Sequence, residues 1–199
     1  MKLIVIVFFS IIMTTIMFSL INIADLNSRT FAIEDSDSFL TYNNSKLNFS
    51  IQYPSTWVLS ENKFHPELAN ISHTIEIKSP FEGSQDLLQE EFLISINKLQ
   101  ENITFDDYVD NALNEFKSEY RNFQLISNNL TMIDDHNGRK LSYSYIAGVD
   151  PVSIKLIMNH TIISDGNKVY VLSFGTPPDK YYEYLSIINK MVNSFKILE

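Results

Sequence analysis

ITFDDYVDNALNEFKSEYRNFQLIS, residues 103–127, decides the fold. Apolar side chains fall at Phe105, Tyr108, Val109, Ala112, Leu113, Phe116 and Tyr120, which traces one stripe of an α-helix. Asp106, Asp110, Asn114, Lys117 and Glu119 occupy the other side. Thr104 is the predicted N-cap, and Asp107 three residues later completes an acidic variant of the capping box. Beyond Tyr120 the helical spacing stops and an extended segment follows. A helix with one apolar stripe, running straight into a strand, must dock on a sheet.

The strands of that sheet can be read on both sides of the helix. Upstream, Phe49, Ile51 and Tyr53 alternate, and Pro54 removes a ladder donor and ends the strand. Trp57, the one tryptophan, is expected to anchor the core. Thr74–Ser79 and Glu91–Lys98 alternate again, with a long loop between them. Downstream, four strands are predicted near 123–133, 139–146, 152–163 and 168–174. Asp135-His136-Asn137-Gly138 is the expected first turn, because Asn-Gly accepts positive φ. Asp165-Gly166 is a second hairpin signal. The segment 168–174 is apolar on both faces and belongs in the middle of a sheet. Tyr181, Tyr184, Leu185, Ile188, Met191, Val192 and Phe195 form a second amphipathic helix, with Asp179 as its expected N-cap. Tight turns between consecutive strands give an antiparallel sheet. The expected class is α+β: an antiparallel sheet flanked by helices, an α/β/α sandwich, preceded by one N-terminal hydrophobic helix.

That N-terminal segment sets location. Leu3 to Ala24 carries no charge and follows Lys2. As a helix it would span roughly 33 Å, enough for a bilayer core of about 30 Å. It reads either as a signal peptide, with Thr30-Phe31-Ala32 as an imperfect cleavage site, or as an uncleaved transmembrane anchor. Both readings place the rest of the chain outside the cytoplasm, membrane-anchored through the N-terminus or secreted. Residues 1–24 are thus assigned to signal or anchor, 25–40 to a linker, and 41–199 to the folded domain. Six N-x-[ST] triplets, at Asn43, Asn48, Asn70, Asn102, Asn129 and Asn159, become glycosylation candidates on export.

Composition excludes several classes. With 15 Lys and Arg against 24 Asp and Glu, the net charge of −9 offers no footprint for nucleic acid. The absence of cysteine removes disulfides, thiolate metal sites and a Cys nucleophile. Five glycines in 199 residues leave no material for a glycine-rich phosphate cradle, and no catalytic motif is recognised. No cofactor is implied. Asp134, Asp135 and His136 are the tightest cluster of metal-ligand types, yet the same residues are good turn chemistry, which is the preferred reading. Asp106-Asp107 and Glu90-Glu91 read as solvated surface, since neighbours point to different faces.

Four stretches together resemble the PsbP-like family, of the PsbP C-terminal type. They are TYNNSKLNFSIQYPSTW (41–57), the helix–strand segment 103–127, NGRKLSYSYIAG (137–148) and the strand–helix segment 168–197. The resemblance covers Thr41 to Ile197. It implies an antiparallel sheet between helices and a non-catalytic binding or assembly role, accessory to a membrane or cell-envelope complex through a protein partner. A metal-handling protein or a hydrolase on the same sandwich is the alternative. Nothing in the resemblance implies photosynthesis.

Overall fold

The computed structural model describes residues 38–62, 71–83, 89–149 and 152–198. The apolar run 3–24, the stretch 25–37, His65 and Asn70 lie outside them. Among the described residues no helix is long and apolar enough to cross a membrane.

Among the described residues ten strands and two helices follow in chain order. They are β1 (Phe39–Asn44), β2 (Phe49–Pro54), β3 (Val58–Asn62), β4 (Ile71–Lys78), β5 (Glu91–Lys98), α1 (Phe105–Glu119), β6 (Arg121–Ile133), β7 (His136–Val149), β8 (Val152–Asp165), β9 (Lys168–Thr176), α2 (Tyr181–Ser194) and β10 (Lys196–Ile197). The strands form two antiparallel sheets, not the single one expected: a seven-stranded sheet in the order β3-β4-β5-β9-β8-β7-β6, and a three-stranded sheet β1-β2-β10. β9 is the central strand of seven, as its two apolar faces predict.

Alternation along β9 separates two cores. Tyr170, Leu172 and Phe174 enter one, while Val169 and Val171 enter the other. The first core is closed by α2 and by Phe49 and Ile51 of the small sheet. Trp57 belongs here, its ring edge-on to Tyr184 at 5.9 Å, as an anchor. The second core is closed by α1 through Val109, Ala112, Leu113 and Phe116. Fully burying each large apolar side chain is worth roughly 1.5–3 kcal/mol, so the stripe read in 103–127 holds α1 to the sheet. Thr104 caps α1 as expected: its hydroxyl accepts from Asp107 N at 3.1 Å, and the Asp107 carboxylate accepts from Thr104 N at 3.2 Å.

Three local expectations are corrected. The β6–β7 turn is not at Asn137-Gly138. Ile133 pairs with His136, so the two turn residues are Asp134 and Asp135, at φ +50° and +62°. Asp tolerates the left-handed region, and the Asp134 carboxylate also accepts from Ile197 N at 2.9 Å, tying the turn to β10. Gly138 is instead a strand residue, where a Cβ would lie 2.7 Å from the Ile162 carbonyl oxygen. At α2 the N-cap is Lys180, not Asp179, and no side chain caps it. The loop before β5 is not all solvated surface either. Glu90 is buried, and its backbone N–H and carboxylate both bond the Ser79 hydroxyl, at 3.0 and 3.1 Å.

Candidate functional site: the outer edge of β6

β6 ends the seven-stranded sheet, and among the described residues no strand pairs with its outer edge. Its first part is irregular, with register shifts between Arg121 and Gln124 and between Leu125 and Ser127, and with Asn122 at φ +56°. From Ser127 to Ile133 the pairing with β7 is regular, and on the other side a run of backbone donors and acceptors has no strand paired to it among the described residues. No residue from Asn122 to Ile133 is charged or proline. Sheet edges are usually protected by just such residues, Lys and Pro above all.

The edge is also apolar. Leu130 and Met132 are 79% and 63% exposed, and Ile126 and Leu125 are exposed beside them. Leu130 pairs with Arg139 and Asn128 with Leu141, so the face they share is the α1 face. Arg139 joins α1 to this strand pair, donating to Asp106 Oδ1 at 2.7 Å and to Asn128 Oδ1 at 3.3 Å. Between Leu130 and Met132 on one side and Phe105 on the other runs a groove of about 580 Å³. One charge pair at its rim, Arg139–Asp106, is made within the chain. What remains is an apolar groove beside an open strand edge, which can accept another strand through its backbone and apolar side chains beside it.

The residues singled out from sequence lie elsewhere. Asp134, Asp135 and His136 stay together, but as turn groups. His136 Nδ1 lies 2.6 Å from the Asp134 carbonyl oxygen, and its Nε2 is 3.7 Å from Asp165 Oδ1. Among the described residues no group of three His, Asp or Glu could hold a metal ion. Of the sequons, Asn43 is exposed on β1 and Asn102 sits in a turn at φ +67°. Asn48 turns the chain at φ +58°, Asn129 is on β6, and half-buried Asn159 accepts from the Tyr181 hydroxyl at 3.4 Å.

Three features escaped the sequence reading. His160 is 1% exposed, with Nδ1 2.7 Å from Ser173 Oγ and Nε2 2.8 Å from the Tyr143 hydroxyl. Serine and histidine meet here, but in the core, with the serine on Nδ1 and a tyrosine in place of a carboxylate on the other nitrogen. Burial pushes the His160 imidazole down to about 3, so it is neutral. Glu91 and Glu115 are both pushed up to about 7 by burial. Both Glu115 oxygens and Glu91 Oε1 are buried without a hydrogen-bond partner among the described residues. The third is β6's position at the edge. The uncharged run 122–133 was its only signal, because strand order is not written in local pattern.

The fold has solved counterparts. CyanoP, the cyanobacterial PsbP of Synechocystis sp. PCC 6803, is similar at TM-score 0.57 and 17% identity, over 86% of this chain and 98% of that one. LpqN, involved in cell envelope biogenesis of Mycobacterium tuberculosis, is similar at 0.54 and 15%, over 76% and 83%. A Pseudomonas aeruginosa protein of unknown function is similar at 0.54 and 17%, over 78% and 94%. At such identities these likenesses show a shared fold. No curated protein matches the chain by sequence. The family model described as PsbP-like protein matches residues 3–197.

Proposed function

The chain belongs to the PsbP-like family, and from that premise we propose that it is a non-catalytic binding and assembly module working outside the cytoplasmic membrane, docked on a protein of a membrane or cell-envelope complex. Residues 3–24 hold it to the membrane or direct its export. The observation that carries the docking role is the β6 edge: among the described residues no strand pairs with its outer side, the run 122–133 is uncharged, and Leu130 and Met132 are exposed beside it. The proposed occupant is an extended segment of the partner, adding a strand to β6 and seating apolar side chains in the groove against Phe105. The absence of charge along the edge supports this, since a protein of net charge −9 is otherwise poorly suited to close contact with acidic partners. The structural neighbours agree in kind: one is a PsbP, another serves envelope biogenesis.

The test is photo-crosslinking in intact cells, with the reactive residue at position 130 or at position 58. Val58 is 67% exposed on β3, at the opposite edge of the sheet. A discrete adduct with a membrane or envelope protein from 130 and none from 58 is the expected result. Equal labelling from both positions, or none from either, rejects the edge as the docking surface.

A further inference from the structure

On the other face of the sheet, under α2, two cross-strand rows change chemistry abruptly. One runs Ser127–Ser142–Asn159 across β6, β7 and β8, then becomes Phe174 on β9 and Phe92 on β5. The next runs Asn129–Lys140–Thr161, then becomes Leu172 and Ile94. The inner ends of both rows are core. The outer three strands place hydroxyls, amides and one ammonium on that same face. Ser142 and Thr161 are nonetheless buried, at 9% and 6% exposure.

α2 does not close over this floor. Tyr181, Leu185 and Asn189 overhang it and leave a cleft of about 270 Å³. Among the described residues no Asp or Glu lines the cleft, although the chain holds 24 of them, and Lys140 is the one ammonium there. The imidazole of His160 bonds Tyr143 and Ser173 on the opposite face of the sheet and does not serve the cleft. The Tyr181 hydroxyl donates to Asn159 Oδ1 at 3.4 Å, which orients that amide with its NH2 free to donate.

We propose that the cleft between α2 and strands β6–β8 is a binding site for a small polyhydroxylated acid, a hexuronate-sized ligand. Its hydroxyls would pair with the Ser, Thr and Asn groups of the floor, and its carboxylate with Lys140. The volume, about 270 Å³, falls just below the usual range for drug-sized ligands and suits one sugar ring. The apolar wall from Leu185 matches the C–H face of such a ring. This site is independent of the β6 docking groove, which lies on the α1 face.

The experiment is amide NMR of the full chain, titrated separately with glucuronate and with glucose. Saturable shifts confined to residues 140–142, 159–161 and 185–189, with glucuronate about tenfold tighter than glucose, are expected; one charge-assisted hydrogen bond is worth about that factor. Lys140→Met should remove the difference, and Leu185→Trp, which fills the cleft from its rim, should abolish binding at unchanged Tm. Equal affinity for both sugars overturns the acid specificity. No shifts at low-millimolar ligand, or shifts that survive Leu185→Trp, overturn the site.

Discussion

The hydroxyl of Tyr143 and Nε2 of His160 lie 2.8 Å apart in the core beneath α1, with the Phe116 ring stacked on the imidazole at 5.7 Å. With Ser173 on the other nitrogen, both ring nitrogens are satisfied by neutral partners. The arrangement stabilises an uncharged imidazole. Its pKa falls from 6.5 to about 3, so the unfolded chain binds a proton that the folded chain refuses. The contribution is present above pH 6.5 and is lost as pH falls towards 3. His160→Gln keeps a donor and an acceptor but cannot titrate. It should lose roughly 1–3 kcal/mol at pH 7 for the imperfect replacement. Urea midpoints between about pH 3.5 and 6.5 should also flatten in the variant. An unchanged acid limb would show that His160 is not the titrating group.

Glu91 and Glu115 act in the opposite sense. Their folded pKa values, about 7, lie above 4.5, so the fold prefers the protonated form of each. Stability from this source is full below pH 4.5 and declines as pH rises through 7. Glu91→Gln should gain roughly 1–3 kcal/mol at about pH 8 and little at about pH 4. Glu115 lies nearer solvent, which screens its charge, so Glu115→Gln should gain less, about 1 kcal/mol or under. Thermal melts of the wild type and both variants across that range measure it. A variant less stable than the wild type at the alkaline end would mean that the ionised carboxylate is held by a partner.

How far the sequence carries can be judged at particular residues. The stripe from Phe105 to Tyr120, the Thr104–Asp107 cap and the central place of β9 follow from period and propensity, which are local, and the structure has them all. The β6–β7 turn does not follow. Asn137-Gly138 has the better local turn chemistry, but Ile197 N–H captures the Asp134 carboxylate, and the backbone of Ile162 leaves no room for a side chain at 138. Both causes are tertiary. β3 escaped notice because five residues with Glu61 and Asn62 show no clear alternation, and its pairing with β4 alone makes it a strand. Glu90 looked like surface because its burial depends on Ser79, eleven residues away and across a loop. The position of β6 was hidden for the same reason: the uncharged run 122–133 becomes an edge only once the order of all seven strands is known.

Gly138 therefore carries a prediction of its own. Gly138→Ala puts a methyl 2.7 Å from the Ile162 carbonyl oxygen, on a neighbouring backbone that cannot swing aside. Overpacking of this kind costs about 1–3 kcal/mol. Gly166 sits at φ +57°, and a Cβ there would meet nothing within 4 Å. Only backbone strain opposes a side chain at that position, and Gly166→Ala should cost about 1 kcal/mol. Denaturant titrations that rank 166 as the worse position would place the β6–β7–β8 register differently from the one described.

Leu130→Lys and Met132→Lys separate docking from stability. Both side chains are mostly exposed, so replacing them should change the folding free energy by no more than about 0.5 kcal/mol. A strand added to β6 would bring each new ammonium against the partner's apolar side chains, where it must be desolvated or the contact broken. Co-purification of the proposed partner from crosslinked membranes should therefore fall steeply in either variant, while far-UV circular dichroism and Tm stay those of the wild type. Asp110→Lys, a charge change of similar kind on the exposed side of α1, should leave the partner bound. If Asp110→Lys released the partner as well, net charge and not the edge would govern the contact; if neither β6 variant released it, the exposed apolar row would have no part in docking.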